Sequence, residues 1–410
     1  MNEGKIIKYY RENAGITQEE LGRGICSVTH ISKIELGQTH YSPEIILLLS
    51  ERLNININQE MNAFKNIKQK LDLLHEAIIM QRIQEADSII DELERNELIH
   101  ISDFKILYKL IQVRYHHLHG RIAEAYKIIR QLQKDHSNLP SNEGHLFKHV
   151  MGILHICNQE YQKAIEILRT INNNEYKNRE YYYHLAISYH ADNANLMAYT
   201  CAEKALQFFK ETNNFLRMID VQMVILIIHS RDKHHSFKDR IKKYDALIQS
   251  CDLCNDPERK AIILHNLALE YFRVKEYTSA SKIYKQSMGL KKKGTGRYLL
   301  SLEGYIQSCL KSNLLSKGEL LTLIQEGLAA AEKMKDPIYM HLFKLPLYLV
   351  ENQESEYFQY LSDHALPFFK MYGQVFFVER FEKELFDYYA NTRKLDKAMA
   401  IARNVMNAGS

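Results

Sequence analysis

The chain has 410 residues, of which 46% are hydrophobic and 25% charged, a composition typical of folded globular proteins. With only 16 Gly and 6 Pro it has too few turn formers for an all-β sandwich or barrel, and we expect helices almost throughout. Its 54 basic and 50 acidic side chains give a net charge of +4, too small to indicate a partner.

Targeting signals and cysteine usage point to one compartment. The N-terminal sequence lacks the apolar stretch of a signal peptide, and no apolar run reaches the ~20 residues of a membrane span. The six cysteines are sparse and irregularly spaced, as is usual for reduced thiols. We therefore expect a cytoplasmic protein.

The first sixty residues predict a group of short helices. After an opening helix over residues 5–13, Thr17 and Glu20 form a capping box that starts the next helix. Ser27 can cap another helix, which ends before Gly37, and Pro43 stands in the first turn of a further one. Two short helices joined by a tight turn indicate a helix-turn-helix, which we place in a domain of residues 1–62.

From residue 63 onward the sequence predicts a series of amphipathic helical hairpins. Small residues recur at intervals of about 34 to 41 residues or multiples of these, as expected where paired helices cross closely. They are Ala86, Ala125, Ala164, Ala198, Ala280 and Ala398. In the clearest copy, Ala268, Tyr271, Ala280 and Tyr284 stand at the packing positions of a tetratricopeptide-like (TPR-like) repeat. We predict an all-α chain in which residues 63–410 form a right-handed superhelix of about nine TPR-like hairpins.

The helix that follows Ser27 has two different faces. Ile31 and Ile34 point inward, so the opposite face is free to enter a DNA major groove. Hydroxyl groups on that face can bond base edges, and an apolar side chain can contact a thymine methyl group. The predicted DNA-contacting face carries Val28, Thr29, Ser32 and Lys33.

Residues 17–37, TQEELGRGICSVTHISKIELG, resemble the Xre/Cro class of helix-turn-helix repressors, and the GICS turn and ISKIE helix resemble its peptide-regulated members. The resemblance implies that Gln18 contacts the DNA backbone and that Arg11 and Glu35 form a structural ion pair. Residues 1–60, however, hold six basic and eight acidic side chains, a net charge of −2. DNA binding would then depend on two heads of a dimer or on a local patch formed by Lys5, Lys8, Arg23 and Lys33. A helix-turn-helix used only for protein contacts is the alternative.

The first helices of such repeats line a concave groove of the kind that binds extended peptides. Asn266 is a polar amide in an apolar stretch, and one Asn side chain can both donate to and accept from a peptide backbone. Arg273 lies two turns further along the same face. Equivalent positions in other repeats add His149, Tyr183, His184 and Gln222 to the predicted peptide site. A solvated or packing side chain is the competing interpretation for each of them.

A helix-turn-helix of this type fused to about nine such repeats resembles the RRNPP family (Rap, Rgg, NprR, PlcR and PrgX). The segments KLPLY at 344–348 and ALPFF at 365–369 are similar to those of NprR and of the phage arbitrium receptor AimR. The resemblance implies a homodimeric transcriptional regulator whose binding to a double-stranded DNA operator is controlled by a short linear signalling peptide. Quorum sensing and the lysis–lysogeny decision of phages use such receptors. The alternative is a Rap-like adaptor that binds or inhibits a response regulator, with residues 63–100 as the contact region.

Other sequence patterns do not indicate a metal site, a phosphate-binding loop or a catalytic centre. Cys251 and Cys254 lack the second ligand pair of a zinc site, and residues 291–296 lack the residue order of a phosphate-binding loop. No nucleophile with a matching base stands out. We therefore predict no enzymatic activity, no cofactor and no metal site.

Overall fold

The computed structural model describes residues 2–38, 42–100, 104–135, 139, 141–230 and 236–408. Every regular element within these ranges is helical, in agreement with the all-α prediction. The chain divides into two compact units, Met1–Ser188 and Tyr189–Ser410. Within the same ranges, no helix combines the length and the apolarity needed to cross a membrane.

The first unit holds four short helices, three helical hairpins and most of helix α11. The short helices are α1 (Asn2–Asn13), α2 (Gln18–Gly22), α3 (Val28–Glu35) and α4 (Pro43–Arg52). The hairpins are α5 (Ile57–Ile79) with α6 (Ile83–Glu94), α7 (Lys105–Leu118) with α8 (Ile122–Asp135), and α9 (Ser141–Cys157) with α10 (Tyr161–Leu168). A 3₁₀ turn at Glu97–His100 follows α6, and α11 spans Tyr181–Ala191.

The second unit begins near the end of α11 and continues with α12 (Asn195–Glu211). Its hairpins are α13 (Phe215–His229) with α14 (Phe237–Leu253), α15 (Pro257–Arg273) with α16 (Tyr277–Gly289), and α17 (Gly296–Ser312) with α18 (Lys317–Met334). The next group consists of α19 (Pro337–Val350), α20 (Glu354–Tyr360), a π-helical turn (Leu361–Ala365) and α21 (Leu366–Met371). The last hairpin is α22 (Val375–Asn391) with α23 (Leu395–Ala408).

Side-chain caps start the short helices where the sequence predicts them. Thr17 Oγ1 accepts a hydrogen bond from the Glu20 backbone N–H at 3.1 Å, and Glu20 Oε2 accepts one from the Thr17 backbone N–H at 2.7 Å. The hydroxyl oxygen of Ser27 accepts an equivalent bond at the start of α3, as predicted, and that of Ser42, which was not predicted as a cap, does so at the start of α4. These bonds satisfy N–H groups that have no partner inside the helix.

Paired helices approach each other at small residues. All six alanines predicted at helix crossings are at most 4% exposed. Glycines allow a still closer approach, because a Cβ atom at Gly304 or Gly327 would lie 2.4 Å from the ring of Tyr284 or Phe343 respectively. The repeat period of the sequence therefore marks real contacts between helices.

Helix α5 joins the four short helices to the first hairpin. It packs against α1 and α4 as well as against α6 and α7. It also runs without interruption through the domain boundary predicted at residues 62 and 63. One rigid element therefore belongs to both the helix-turn-helix region and the first repeat.

Replacing Gly327 by Ala is expected to lower the free energy of unfolding by about 1–3 kcal/mol, because the added methyl group would overlap the Phe343 ring. Gly318→Ala, in the same helix, is the matched control, since no atom lies within 4 Å of its Cβ position. Alanine also favours the helix there, by up to about 1 kcal/mol. Urea denaturation followed by circular dichroism measures both variants. Equal stability of the two would contradict the close contact at Gly327.

Candidate DNA-binding and peptide-binding sites

Helix α3 presents the two faces that the sequence predicts. Ile31 and Ile34 are fully buried against the neighbouring helices. Val28, Thr29 and Lys33 are exposed and Ser32 is half-buried on the opposite side. The outer face thus offers two hydroxyl groups, one cation and one small apolar side chain to a partner.

A buried ion pair holds α3 against α1. Arg11 Nε donates to Glu35 Oε1 at 2.6 Å, and Arg11 Nη2 donates to Glu35 Oε2 at 3.1 Å. The hydrogen bonds to Glu35 raise the pKa of Arg11, and both side chains are largely shielded from solvent. The two helices also touch at Gly4, where a Cβ atom would lie 1.9 Å from the carbonyl oxygen of Ile34. The implied structural pair is present, and it fixes the orientation of the outer face.

Gln18 also bonds this pair. Its Nε2 group donates to Glu35 Oε2 at 2.8 Å, which ties the start of α2 to the end of α3. The amide nitrogen is therefore engaged within the helix-turn-helix. A contact of Gln18 with the DNA backbone stays a prediction. Such a contact would use polar atoms of Gln18 other than the amide nitrogen.

Sequence reasoning missed Arg52, which fixes the turn between α2 and α3. Its Nη1 group donates to the carbonyl oxygens of Leu21 at 2.8 Å and of Arg23 at 2.6 Å. These carbonyls lie at the C-terminal end of α2, where a cation is favoured. Gly24 follows with a φ of +75°, a conformation that glycine adopts without strain. A basic residue in the last turn of α4 was the available signal, but its partners are about thirty residues away in sequence.

The structure places His149 and His184 in the interior of the first unit, not on a groove surface. His149 is fully buried and its Nε2 lies 3.0 Å from His184 Nδ1. The other ring nitrogen of His149 lies 3.0 Å from the Tyr176 hydroxyl. The prediction that these histidines contact a peptide is therefore corrected, because their polar atoms satisfy one another inside the packed helices. Tyr183, beside them on α11, is half-buried.

Asn266 and Arg273 lie on one face of α15 and both reach towards α13. Asn266 Nδ2 donates to the carbonyl oxygen of Ile262 at 3.1 Å and lies 3.6 Å from the sulfur of Met223. Arg273 Nη1 donates to Ser230 Oγ at 2.7 Å and to Glu270 Oε1 at 3.0 Å. Gln222, the residue of α13 that is predicted to contact a peptide, is half-buried. The structure thus brings Asn266 and Arg273 to the surface shared by two consecutive first helices.

A cavity of 460 Å³ opens beside Arg273 in the second unit. Its walls come mainly from α15, α17 and α22, each of them the first helix of a hairpin. The size is in the range of pockets that hold small ligands or a few residues of a peptide. Of the residues predicted to contact a peptide, Arg273 lines this cavity, and Gln222 and Asn266 lie outside its wall.

Comparisons with known proteins match both parts of the chain. A helix-turn-helix family model matches residues 7–59. The transcriptional activator NprA of Geobacillus stearothermophilus is 23% identical over 393 residues, which cover 90% of this chain and 94% of that protein. The structure of NprR in complex with its cognate peptide NprX has a TM-score of 0.69 and 21% identity, covering 84% of this chain and all of the other. A Rap protein complexed with competence and sporulation factor has a TM-score of 0.70 and 13% identity, covering 84% and 98%.

A helix-turn-helix joined to an array of TPR-like hairpins is the organisation that the resemblance to the RRNPP regulators implies, and the structure has it. The chain is similar along most of its length to the transcriptional activator NprA and in fold to NprR. These similarities confirm the prediction of a transcriptional regulator.

Acidification from pH 7 to pH 5.5 is expected to destabilise the first unit. Burial holds the pKa of His149 well below its usual value of 6.5, so the folded state keeps it neutral while the unfolded chain binds a proton. Below pH 6.5 this residue alone removes up to about 1.4 kcal/mol of stability per pH unit. Thermal melts across this range should show a smaller pH dependence for His149→Phe than for the exposed control His364→Asn. Equal pH dependence in both variants would contradict the assignment.

Proposed function

We propose that the chain acts as a homodimer that binds an operator through α3 and whose DNA affinity is set by a short peptide bound in the second unit. One observation supports this above others. The same chain carries an intact DNA-recognition helix and a cavity walled by the first helices of TPR-like repeats.

On the DNA side, the predicted residues of α2 and α3 have distinct roles. Thr29 and Ser32 bond base edges, and Val28 contacts a thymine methyl group. Lys33 neutralises a phosphate, and Gln18 contacts the backbone. A two-fold dimer presents two such helices to two half-sites, which compensates for the net negative charge of each head.

On the peptide side, the proposal rests on Gln222, Asn266 and Arg273 of the second unit, while Tyr183 stays a separate prediction in the first. NprR has been solved with its cognate peptide, and a Rap protein with a signalling factor. In this chain, the Asn266 side chain lies on the side of α15 that faces α13, and its amide can pair with a peptide backbone. The peptide changes DNA affinity only to the extent that it binds the DNA-competent state and the other state unequally.

Replacing Lys33 by Ala is expected to weaken binding evenly across DNA sequences and to lower the salt slope by about one, because one phosphate contact is lost. Thr29→Ala should instead cost about 1–3 kcal/mol on the preferred sequence and relax the choice of base at one position. Both are measured by fluorescence anisotropy on duplexes selected by the protein from a random pool. An unchanged salt slope for Lys33→Ala would remove Lys33 from the phosphate contacts.

Replacing Asn266 by Ala is expected to raise the dissociation constant of a bound peptide tenfold or more, because a peptide amide loses its partner in a desolvated groove. The probe is the peptide retained by the intact chain from a synthetic hexapeptide mixture, measured by calorimetry. Gln286→Ala, an exposed amide on the outer helix α16, is the matched control. If the melting temperature of Asn266→Ala falls by several degrees and affinity changes only in proportion, Asn266 supports the packing of α15 instead.

A further inference from the structure

Part of the wall of the cavity in the second unit is apolar. Leu269 and Phe272 of α15, Leu300 of α17 and Phe376 of α22 line it together with the rings of Tyr277 and Tyr284. The Tyr284 ring lies where a side chain at residue 304 would otherwise be, since a Cβ atom on Gly304 would be 2.4 Å from it. This apolar part of the wall can therefore receive an apolar or aromatic side chain.

The side chains in the cavity wall include more cations than carboxylates. The lining residues include four cations and two carboxylates. The cations are Arg273, Lys275, Arg380 and Lys383, and the carboxylates are Glu303 and Glu379. The fifth candidate cation, His265, stays neutral because burial lowers its pKa to about 3. Glu270, which bonds Arg273, and Glu384, which acts on Arg380, reduce this excess, so the exposed Lys275 and Lys383 carry most of the positive charge offered to a ligand.

One ion pair crosses the cavity. Arg380 of α22 approaches both carboxylate oxygens of Glu303 on α17, with Nη1 to Oε2 at 3.2 Å and Nη2 to Oε1 at 3.0 Å. The Glu303 side chain is 5% exposed and that of Arg380 is 23% exposed, so more of the Arg380 side chain reaches solvent. A carboxylate that enters the cavity can therefore compete with Glu303 for the same planar group.

We propose that this cavity selects the peptide by a negatively charged group next to an apolar side chain. The charged group bonds Arg380 in exchange with Glu303 and is attracted by the exposed Lys383, while the apolar side chain contacts the apolar part of the cavity wall. The inference rests on the proposed peptide control and specifies the chemistry of the ligand. A C-terminal carboxylate and an acidic side chain both supply the required group.

The test uses the full-length chain and calorimetry with a peptide selected from the synthetic hexapeptide mixture. Three forms of this peptide are compared: the free acid, the C-terminal amide, and the form with each Asp or Glu changed to its amide. We expect one of the two neutralised forms to bind at least tenfold more weakly, and the form that does so identifies the source of the charge.

Protein variants then assign the charge to its receptor. Glu303→Gln should tighten binding of the acidic form severalfold, since Arg380 no longer has a competing carboxylate, and should leave the neutralised form unchanged. Lys383→Gln, at an exposed position that does not endanger folding, should weaken the acidic form. Lys282→Gln, an exposed lysine outside the cavity on α16, is the control and should change nothing.

Two results overturn the inference in different ways. If selected peptides bind but all three forms bind equally and Glu303→Gln leaves affinity unchanged, the charge-selective cavity is wrong and peptide control stands. If the intact chain retains no peptide from the mixture, peptide control fails and the inference fails with it.

Discussion

The close crossing of paired helices is the constraint on which the whole array depends. At the crossings marked by Ala86, Ala164 and Ala280, one helix contributes a side chain no larger than a methyl group, and the partner packs against it. A larger residue would separate the pair and displace every contact that the next repeat makes. Gly304 links this constraint to the candidate site, because the absence of its side chain admits the Tyr284 ring that forms part of the cavity.

Much of the fold could be predicted because its determinants are local. The capping box of Thr17 and Glu20 involves residues three apart, and Ser27 caps α3 over the same distance. The small residues at helix crossings recur with a period that is visible in the sequence. Where turns needed a left-handed residue, Asn often replaces Gly, as at Asn213 and Asn313, which is why so few glycines suffice.

The candidate site was predicted less well because it depends on contacts between distant repeats. A polar residue in an apolar helix can face a groove or another polar residue in the core, and the sequence pattern is the same in both cases. His149 and His184 pair with each other, which could not be seen at a separation of 35 residues. The Glu303–Arg380 pair joins residues 77 apart, and neither has a local signature. Asn266 and Arg273 share one face of α15 as predicted, because their spacing on one helix is a local feature, and their contact with a peptide stays a prediction.

The continuity of α5 has a consequence for the geometry of the DNA. A helix shared by the head and the first hairpin leaves no hinge between them, so the recognition helix keeps its angle to that hairpin. Inserting one base pair between two half-sites turns them about 35° out of helical phase. Because the head cannot turn on its own hairpin, torsion of the duplex absorbs part of this mismatch, and the stiffness of the duplex depends on its sequence. Base pairs that the protein never touches would in this way contribute to operator choice through a helix that contacts no base.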